Sequence, residues 1–512
     1  MDAGAFGNRL GLDEAYQFAR GDEVNSTNAG PVRLSRPLDF LVAADHAENL
    51  GLAPMIAEKN PDLLKLDFGK KIAQLVYDGK YGEAYALWGE GMSTRKDPLA
   101  GQEALTRTMW ERLTEAGEKF NEPGRFTALL GFEWTSSPSG NNLHRNVILR
   151  DGKDEVDQVL PFSNYDSTDP EDLWAWMQAY EEKTGGRALA IAHNGNLSNG
   201  LMFDDVTFSG KKIDRAYAEQ RMRWEPIYEV TQMKGDGEAH PALSPNDEFA
   251  DYGTWDKGSF GPEPKTAEML PREYAREAYK RGLAYDAELG ANPFKFGMVG
   301  STDSHTGLAT TTEDNFFGKV SIVEPTADPI RFEELITGRA TPDDPSDDID
   351  HAQVLASGLA AVWSKENTRE AIWDALARKE VYATTGTRLR VRVFAGTSFS
   401  EDDLARSDFA AYGYANGVPM GGDLTGLGSD DVPGLLREFR AEFGDLELPE
   451  IVHVSTPSFS GTHMQGFHRA VRTLVDGTMA GAETTVAWDG RAADGRRVPT
   501  GLYLVKLQTP RA

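Results

Sequence analysis

Asp303 and His305 stand two apart in Gly300-Ser301-Thr302-Asp303-Ser304-His305, directly behind the short apolar run Lys295-Phe296-Gly297-Met298-Val299. Side chains two apart on an extended segment leave the same face, so this carboxylate and imidazole can reach one metal ion. A D-x-H pair is short and common, and alone it says little. Its weight comes from repetition along the chain. Asp45-His46 follows the strand-like stretch 38–43, Glu133 follows 126–132, and His193 follows Ala188-Leu189-Ala190-Ile191-Ala192. Four apolar runs that each end in a metal-capable residue predict a metallohydrolase. Mixed imidazole and carboxylate sites suit Zn, Mn or Fe, and a carboxylate such as Glu133 can bridge two ions. Paired ions generate hydroxide near neutral pH and hold both ends of an in-line displacement.

The elements that must position these residues alternate over the first 390 or so positions. Helices are expected over 98–120, 169–180, 271–289, 329–335 and 368–378, from apolar spacing and from the stops at Gly185-Gly186. Strands are expected over 38–43, 126–132, 188–192, 227–231, 295–299, 319–323 and 388–394. Alternation with mostly apolar strands predicts a parallel α/β barrel or doubly wound sheet, with chemistry at the strand C-termini. Two insertions, 198–222 and 233–261, either wall a pocket or form ordinary surface loops. Residues 343–348 read as an acidic connector. Composition shifts near Gly421, where 421–433 reads as a linker. Beyond it, two alternating strands around Asp494-Gly495 predict a β-hairpin. The expected division is a barrel over 1–422 and a linker with a small β-rich region over 423–512.

The composition narrows the partners. A hydrophobic content of 40% with 10 Trp, 24 Phe and 16 Tyr supplies a packed core. A formal charge of −28 argues against nucleic acid or an anionic membrane as partner. It leaves room for an anionic small molecule, because bound cations reverse the local sign in a pocket. With no cysteine, His and carboxylates are the available ligands. No apolar run is long enough for a membrane span, and no signal peptide is visible at the N-terminus. The reading leaves a soluble protein of either the cytoplasm or the periplasm, with its oligomeric state open.

Longer motifs carry a resemblance. Arg36-Pro37-Leu38-Asp39-Phe40-Leu41 leading to Asp45-His46-Ala47-Glu48, then Gly131-Phe132-Glu133-Trp134-Thr135, resemble large bacterial proteins of the polymerase-and-histidinol-phosphatase (PHP) superfamily. Asn142-Leu143-His144-Arg145-Asn146-Val147, Ile191-Ala192-His193-Asn194, the Asp303 motif and 366–386 follow in the same order. The similarity spans roughly positions 2–422 and is strongest to a branch catalogued as a domain of unknown function. It implies a distorted (β/α)7 barrel with two or three divalent metals at the strand C-termini. It also implies metal ligands at Asp45 or His46, Glu133, His144, His193, Asp303 and His305. At Asp45-His46 the imidazole is the better ligand, with Asp45 orienting it. The stretch 142–147 equally reads as a strand whose His144 sits behind the ligands. His240 is a further candidate. Arg145 and Asn194 lie beside ligands and are candidates for a substrate oxygen, although Arg145 reads equally as a surface charge.

The implied reaction is hydrolysis of a phosphoester or related anionic ester by a metal-bound hydroxide, with Asp303, His193 and Arg145 as catalytic residues. The competing expectation is a PHP-like binding or scaffold protein with a depleted site. It draws on a departure from the pattern. Members open on a strand bearing H-x-H, followed in this branch by an Asp-Ala pair, and here Met1 is followed by Asp2-Ala3. None of the nine histidines precedes His46. The expectation is either a shortened start, which also hides any leader, or a site lacking two ligands.

Overall fold

The computed structural model describes residues 2–5 and 7–425, except 258, 260, 262, 312–314, 326–334, 338–348, 351–357, 401–402 and 404–405. Beyond these it describes the strand segments 434–442, 451–456, 469–476, 483–485 and 504–508. The chain is mixed α/β, and its main sheet has seven strands that curl into a half-barrel flanked by helices. In chain order the strands are β1 Phe40–Val42, β2 Thr127–Trp134, β3 Arg145–Leu149, β4 Ala188–Ala192, β5 Ile227–Gln232, β6 Gly235–Asp236 and β7 Gly297–Gly300. β1 pairs parallel with β2, β4 with β5, and β5 with β7.

β3 breaks the expected all-parallel pattern, because it runs antiparallel to both β2 and β4. The reversal has a consequence for the site. The residue that enters β3 lies at the same sheet edge as the residues that leave β2 and β4. His144, just before β3, therefore joins Glu133 and His193.

Every residue of β2 is buried, which explains why its sequence is apolar on both faces. Leu130, Phe132 and Trp134 pack into one cluster with Trp110 and Leu113 of helix α1, Glu103–Phe120. Leu129 faces the other way, with Ile148, Leu189, Ile227 and Val299, against Ile372, Trp373 and Leu376 of a later helix, Arg369–Ala377. Glu133 shares that inner parity and sits where the apolar layer ends. The outer helix α2, Pro170–Thr184, begins as its sequence dictates. Pro170 takes the first turn, the Asp169 carboxylate accepts from the Glu171 N–H at 2.9 Å, and Gly185 closes it at φ 76°.

Several expectations change. The helix expected over 98–120 starts at Glu103, because Asp97 first folds the chain into a turn by accepting the Leu99 N–H at 2.8 Å. The helix expected over 271–289 divides into a single turn, Leu270–Arg272, and Ala275–Leu289. The strand expected over 319–323 is a 3₁₀ turn, Ser321–Val323, while the Lys319 carbonyl accepts the His305 N–H at 2.9 Å. Positions 329–334 and the acidic stretch 343–348 lie outside the described residues, and Leu335–Thr337 is a strand. Most of the expected C-terminal hairpin, 486–503, lies outside the described residues. Glu483–Thr485 pairs with Gly434–Glu442, whereas Leu504–Gln508 pairs with Ile451–Thr456. Residues 434–441 also pair with the whole of Leu389–Gly396, so this sheet has strands from both sides of position 422. Among the described residues no helix is long and apolar enough to cross a membrane.

Asp236, the last residue of β6, should make stability depend on pH. Its carboxylate accepts the N–H groups of Glu238 at 3.0 Å and Ala239 at 3.1 Å. Burial, then the charge of Glu238, pushes the group up to about 7. A carboxyl raised in the fold stabilises it fully below the ordinary carboxylate range, and that stabilisation is lost as pH rises through about 7. Asp236→Asn should flatten the fall in thermal stability across this window. An unchanged slope of Tm against pH would assign the dependence to other groups.

Candidate metal centre

The site is built from five strand ends. Beyond β1, the chain runs extended past the end of β2. There the Glu133 N–H donates to Asp45 O at 2.9 Å, and the Ala47 N–H donates to Glu133 O at 2.8 Å. This ladder turns His46 toward the Glu133 side chain, with His46 Nδ1 3.4 Å from Glu133 Oε2. Glu133 Oε1 stands 2.8 Å from His144 Nδ1 and 3.1 Å from His193 Nε2. Among the described residues Glu133, His144 and His193 form a buried group whose ligand atoms all lie within 4.8 Å of one another. The rings continue as a row. Centroids are 5.7 Å apart for His193 and His144, 6.3 Å for His144 and His46, and 6.3 Å for His46 and His305.

Asp303 and His305 complete the row from the loop after β7. His305 Nδ1 is 3.5 Å from Asp303 Oδ1. Asp303 has φ 50°, and Asn194, next to His193, has φ 53°. Left-handed backbone at two non-glycine positions costs energy and needs surrounding structure to hold it. Gln232 supplies part of that hold, since its Nε2 donates to Asn194 Oδ1 and to Asp303 Oδ2, both at 2.8 Å. Lys234 Nζ and Lys319 Nζ reach the same Oδ2 at 2.7 and 3.0 Å.

The electrostatics follow from burial in competition with these contacts. Burial alone would raise Glu133, but the charge of His46 and the hydrogen bonds of His144 and His193 hold it well below the usual carboxylate range. Burial pushes His144 down to about 4 despite Glu133, so near neutral pH its ring is uncharged and keeps a lone pair for a ligand. Burial opposes charge on His193 too, yet Glu133, Glu229 and Asp303 together raise it. Asp303 is lowered, because Lys234, Lys319 and His305 outweigh its burial.

The donor set fits divalent ions. His46, His193, His305 and the carboxylates of Glu133, Asp303 and Glu229 line one cleft of about 1480 Å³, and His144 joins them through Glu133. His193 Nδ1 and Glu229 Oε1 are buried with no hydrogen-bond partner, which is the condition expected of atoms that await an ion. Thr135 Oγ1 lies 2.5 Å from His46 Nδ1, the nitrogen that faces Glu133, and Ser137 Oγ lies 2.9 Å from the other nitrogen of His144, Nε2.

Some expected residues stand elsewhere. Asp45 is exposed at the cleft rim, and its backbone carbonyl, which accepts from Glu133, is what it brings to the site. Arg145 is the main correction. Strand alternation puts Trp134 and Arg145 on the opposite face from Glu133 and Asn146, and there Arg145 is buried on Glu225. His240 Nε2 contacts Asp256 Oδ2 at 3.1 Å, and its Nδ1 accepts the Ala242 N–H. Of the two insertions, 198–222 adds Met202, Phe203 and Ile213 to a core cluster, while 233–261 supplies Lys234 to the site. Glu229, Gln232, Lys234 and Lys319 escaped the sequence reading. An acid at the centre of the apolar stretch 227–231 was the available signal for Glu229. Nothing in the spacing marked either lysine.

The family model described as Protein of unknown function (DUF3604) matches residues 1–443. A second, described as Nitrogenase component 1 type Oxidoreductase, matches residues 424–496. Comparison with curated proteins and with solved structures gives no match.

Proposed function

The chain belongs to the DUF3604 family, and we propose that it is a metal-dependent hydrolase of a phosphoester or related anionic ester, built on a PHP-like (β/α)7 barrel. One observation carries the reading: four imidazoles and the carboxylates of Glu133 and Asp303, from the ends of five strands, gather at one edge of the curled sheet, with Glu229 of β5 beside them. A glycosidase needs only a carboxylate pair and leaves the histidines without a role.

Two or three divalent ions of Zn, Mn or Fe, held by His46, Glu133, His144, His193, Asp303 and His305, would activate a water and polarise the ester oxygen. The chain's own residues do the rest. Glu133 stays ionised and sets the angle of His144 and His193. The hydroxyls of Thr135 and Ser137 hold the rings of His46 and His144 in place. Asp303 stays ionised between Lys234, Lys319 and Gln232, with its Oδ1 on the side of His305. The second reading is a binding or scaffold protein whose site no longer takes metal. It draws on Lys234 and Lys319, which already bring positive charge to Asp303.

Elemental analysis of the purified protein separates the two: two or three ions per chain are expected of the hydrolase and none of the scaffold. His305→Ala should lower bound metal while leaving the unfolding temperature close to the parent, because the ring is at a cleft rim and not in the core. Asp303→Asn should do the same. Asp303→Ala is less informative, since it strands two buried ammonium groups. Loss of cooperative unfolding in His305→Ala, with metal content unchanged, would make His305 a structural residue.

A further inference from the structure

We propose that Glu229 is a further ligand of the metal centre, binding through Oε1 the ion that His193 takes at Nδ1; this rests on the metal-dependent reading of the site. Glu229 is the third residue of β5. The ladder between β4 and β5 pairs Ile191 with Ile227 and Ala192 with Tyr228, so His193 comes next, beside Glu229. On the other side Glu229 pairs with Val299 of β7, the strand that leads to Asp303. Tyr228 and Val230 pack in one cluster with Phe203, whereas Ile227 and Val299 belong to the inner layer. By alternation Glu229 points to the inner face of the sheet, as Glu133 does, and it lines the cleft.

Two orphaned atoms meet the requirement for an ion. His193 Nε2 is 3.1 Å from Glu133 Oε1. A ring that donates its Nε2–H to that carboxylate keeps its lone pair at Nδ1, the nitrogen left for a metal. His193 is 1% exposed, and its Nδ1 is buried with no hydrogen-bond partner. Glu229 is 3% exposed, and its Oε1 is buried in the same condition. Buried polar atoms are almost always matched, so two of them on adjacent positions of neighbouring strands call for a common partner.

The charges around Glu229 favour a cation in that place. Those facing it are His193, Asp303 and Lys234, and Ser301 offers it a hydroxyl. Glu133 and Asp303 already bring two carboxylates to this edge, while Lys234 and Lys319 both stand on Asp303 Oδ2, at 2.7 and 3.0 Å. A third buried carboxylate needs positive charge of its own, which a divalent ion between it and His193 supplies. An oxygen and an imidazole nitrogen are donors that Zn and Mn both accept.

The test is calorimetric titration of the full chain, freed of metal by dialysis, with Mn²⁺ alone, alongside elemental analysis and unfolding temperatures of the same samples. Glu229→Gln should weaken one Mn²⁺ site at least about tenfold, the lower figure for residues that only support metal ligands. Without metal the variant should unfold at the parent temperature or above it, because a neutral amide is easier to bury than a carboxylate. The rise in unfolding temperature that Mn²⁺ gives the parent should shrink, since less ion is bound at the same concentration. Glu229→Asp keeps the charge and shortens the reach, so it should fall between the two; it also serves if Glu229→Gln does not fold. Mn²⁺ affinity and stoichiometry like the parent's in both variants overturns the proposal, as does a parent that binds no Mn²⁺. A lower metal-free unfolding temperature with binding intact would leave Glu229 a structural residue. Glu229-dependent Mn²⁺ binding without ester turnover would sink the hydrolase reading and leave the ligand standing. Binding independent of Glu229, with ester turnover, would do the reverse.

Discussion

Replacing Glu133 with Gln should remove metal from the site and take any hydrolytic turnover to background. Glu133 is 6% exposed and lies within 3.4 Å of nitrogens from three separate histidines, which places it among the ligands. The substitution keeps the shape and deletes the charge. Even outer partners of metal ligands are worth roughly 10–100-fold in metal affinity, so a central carboxylate should cost at least about 100-fold. Burial of a neutral amide is easier than burial of a carboxylate, and the unfolding temperature should move little. Metal content, turnover and Tm measured together decide the matter. Full metal occupancy in Glu133→Gln would mean that the ions, if any, sit elsewhere.

Arg145→Met should do the opposite, costing stability and sparing the site. The guanidinium is 2% exposed, stands 3.0 Å from Glu225 Oε1, donates to the Leu143 carbonyl and lies over the Trp134 ring. Glu225 also accepts from Trp174 Nε1 at 3.0 Å and faces Arg221 at 3.3 Å. Burial works against its charge, but Arg145 and Arg221 keep Glu225 below the usual carboxylate range. Breaking a buried pair from one side costs about 3–5 kcal/mol, and the remaining Arg221 places this case near the lower figure. A second change, Glu225→Leu, should recover part of the loss. At a temperature where the variant is folded, metal content and KM should match the parent. A raised KM with unchanged stability would return Arg145 to the substrate role that its place beside His144 suggests.

Arg145 and His144 show how far sequence order reaches. Both belong to one motif, in which the resemblance implied a ligand at His144 and the place beside it suggested a substrate contact for Arg145. In the structure His144 joins Glu133 and Arg145 is carried to the far face, because successive residues on a strand point opposite ways. Parity was readable in principle, but only after knowing that the strand begins at Arg145 and runs antiparallel. That direction is a property of the sheet and not of the segment.

What the sequence determined by itself is local. Apolar runs bounded by turn residues specify strands near their observed places, and Asp169-Pro170 with Gly185 specifies a helix at both ends. The placement of His46, Glu133, His193 and Asp303 just past such runs puts ligand chemistry at strand ends, because chain continuity alone requires it. Tertiary structure decided the rest. It reversed β3 and turned 319–323 from a strand into a loop that delivers Lys319. It also brought Lys234 and Lys319, 85 positions apart, onto one oxygen of Asp303. No periodicity marks a long-range pair of this kind. A side chain that reaches a site from a loop is placed by the packing around the loop, and that packing exists only once the whole sheet has closed around it.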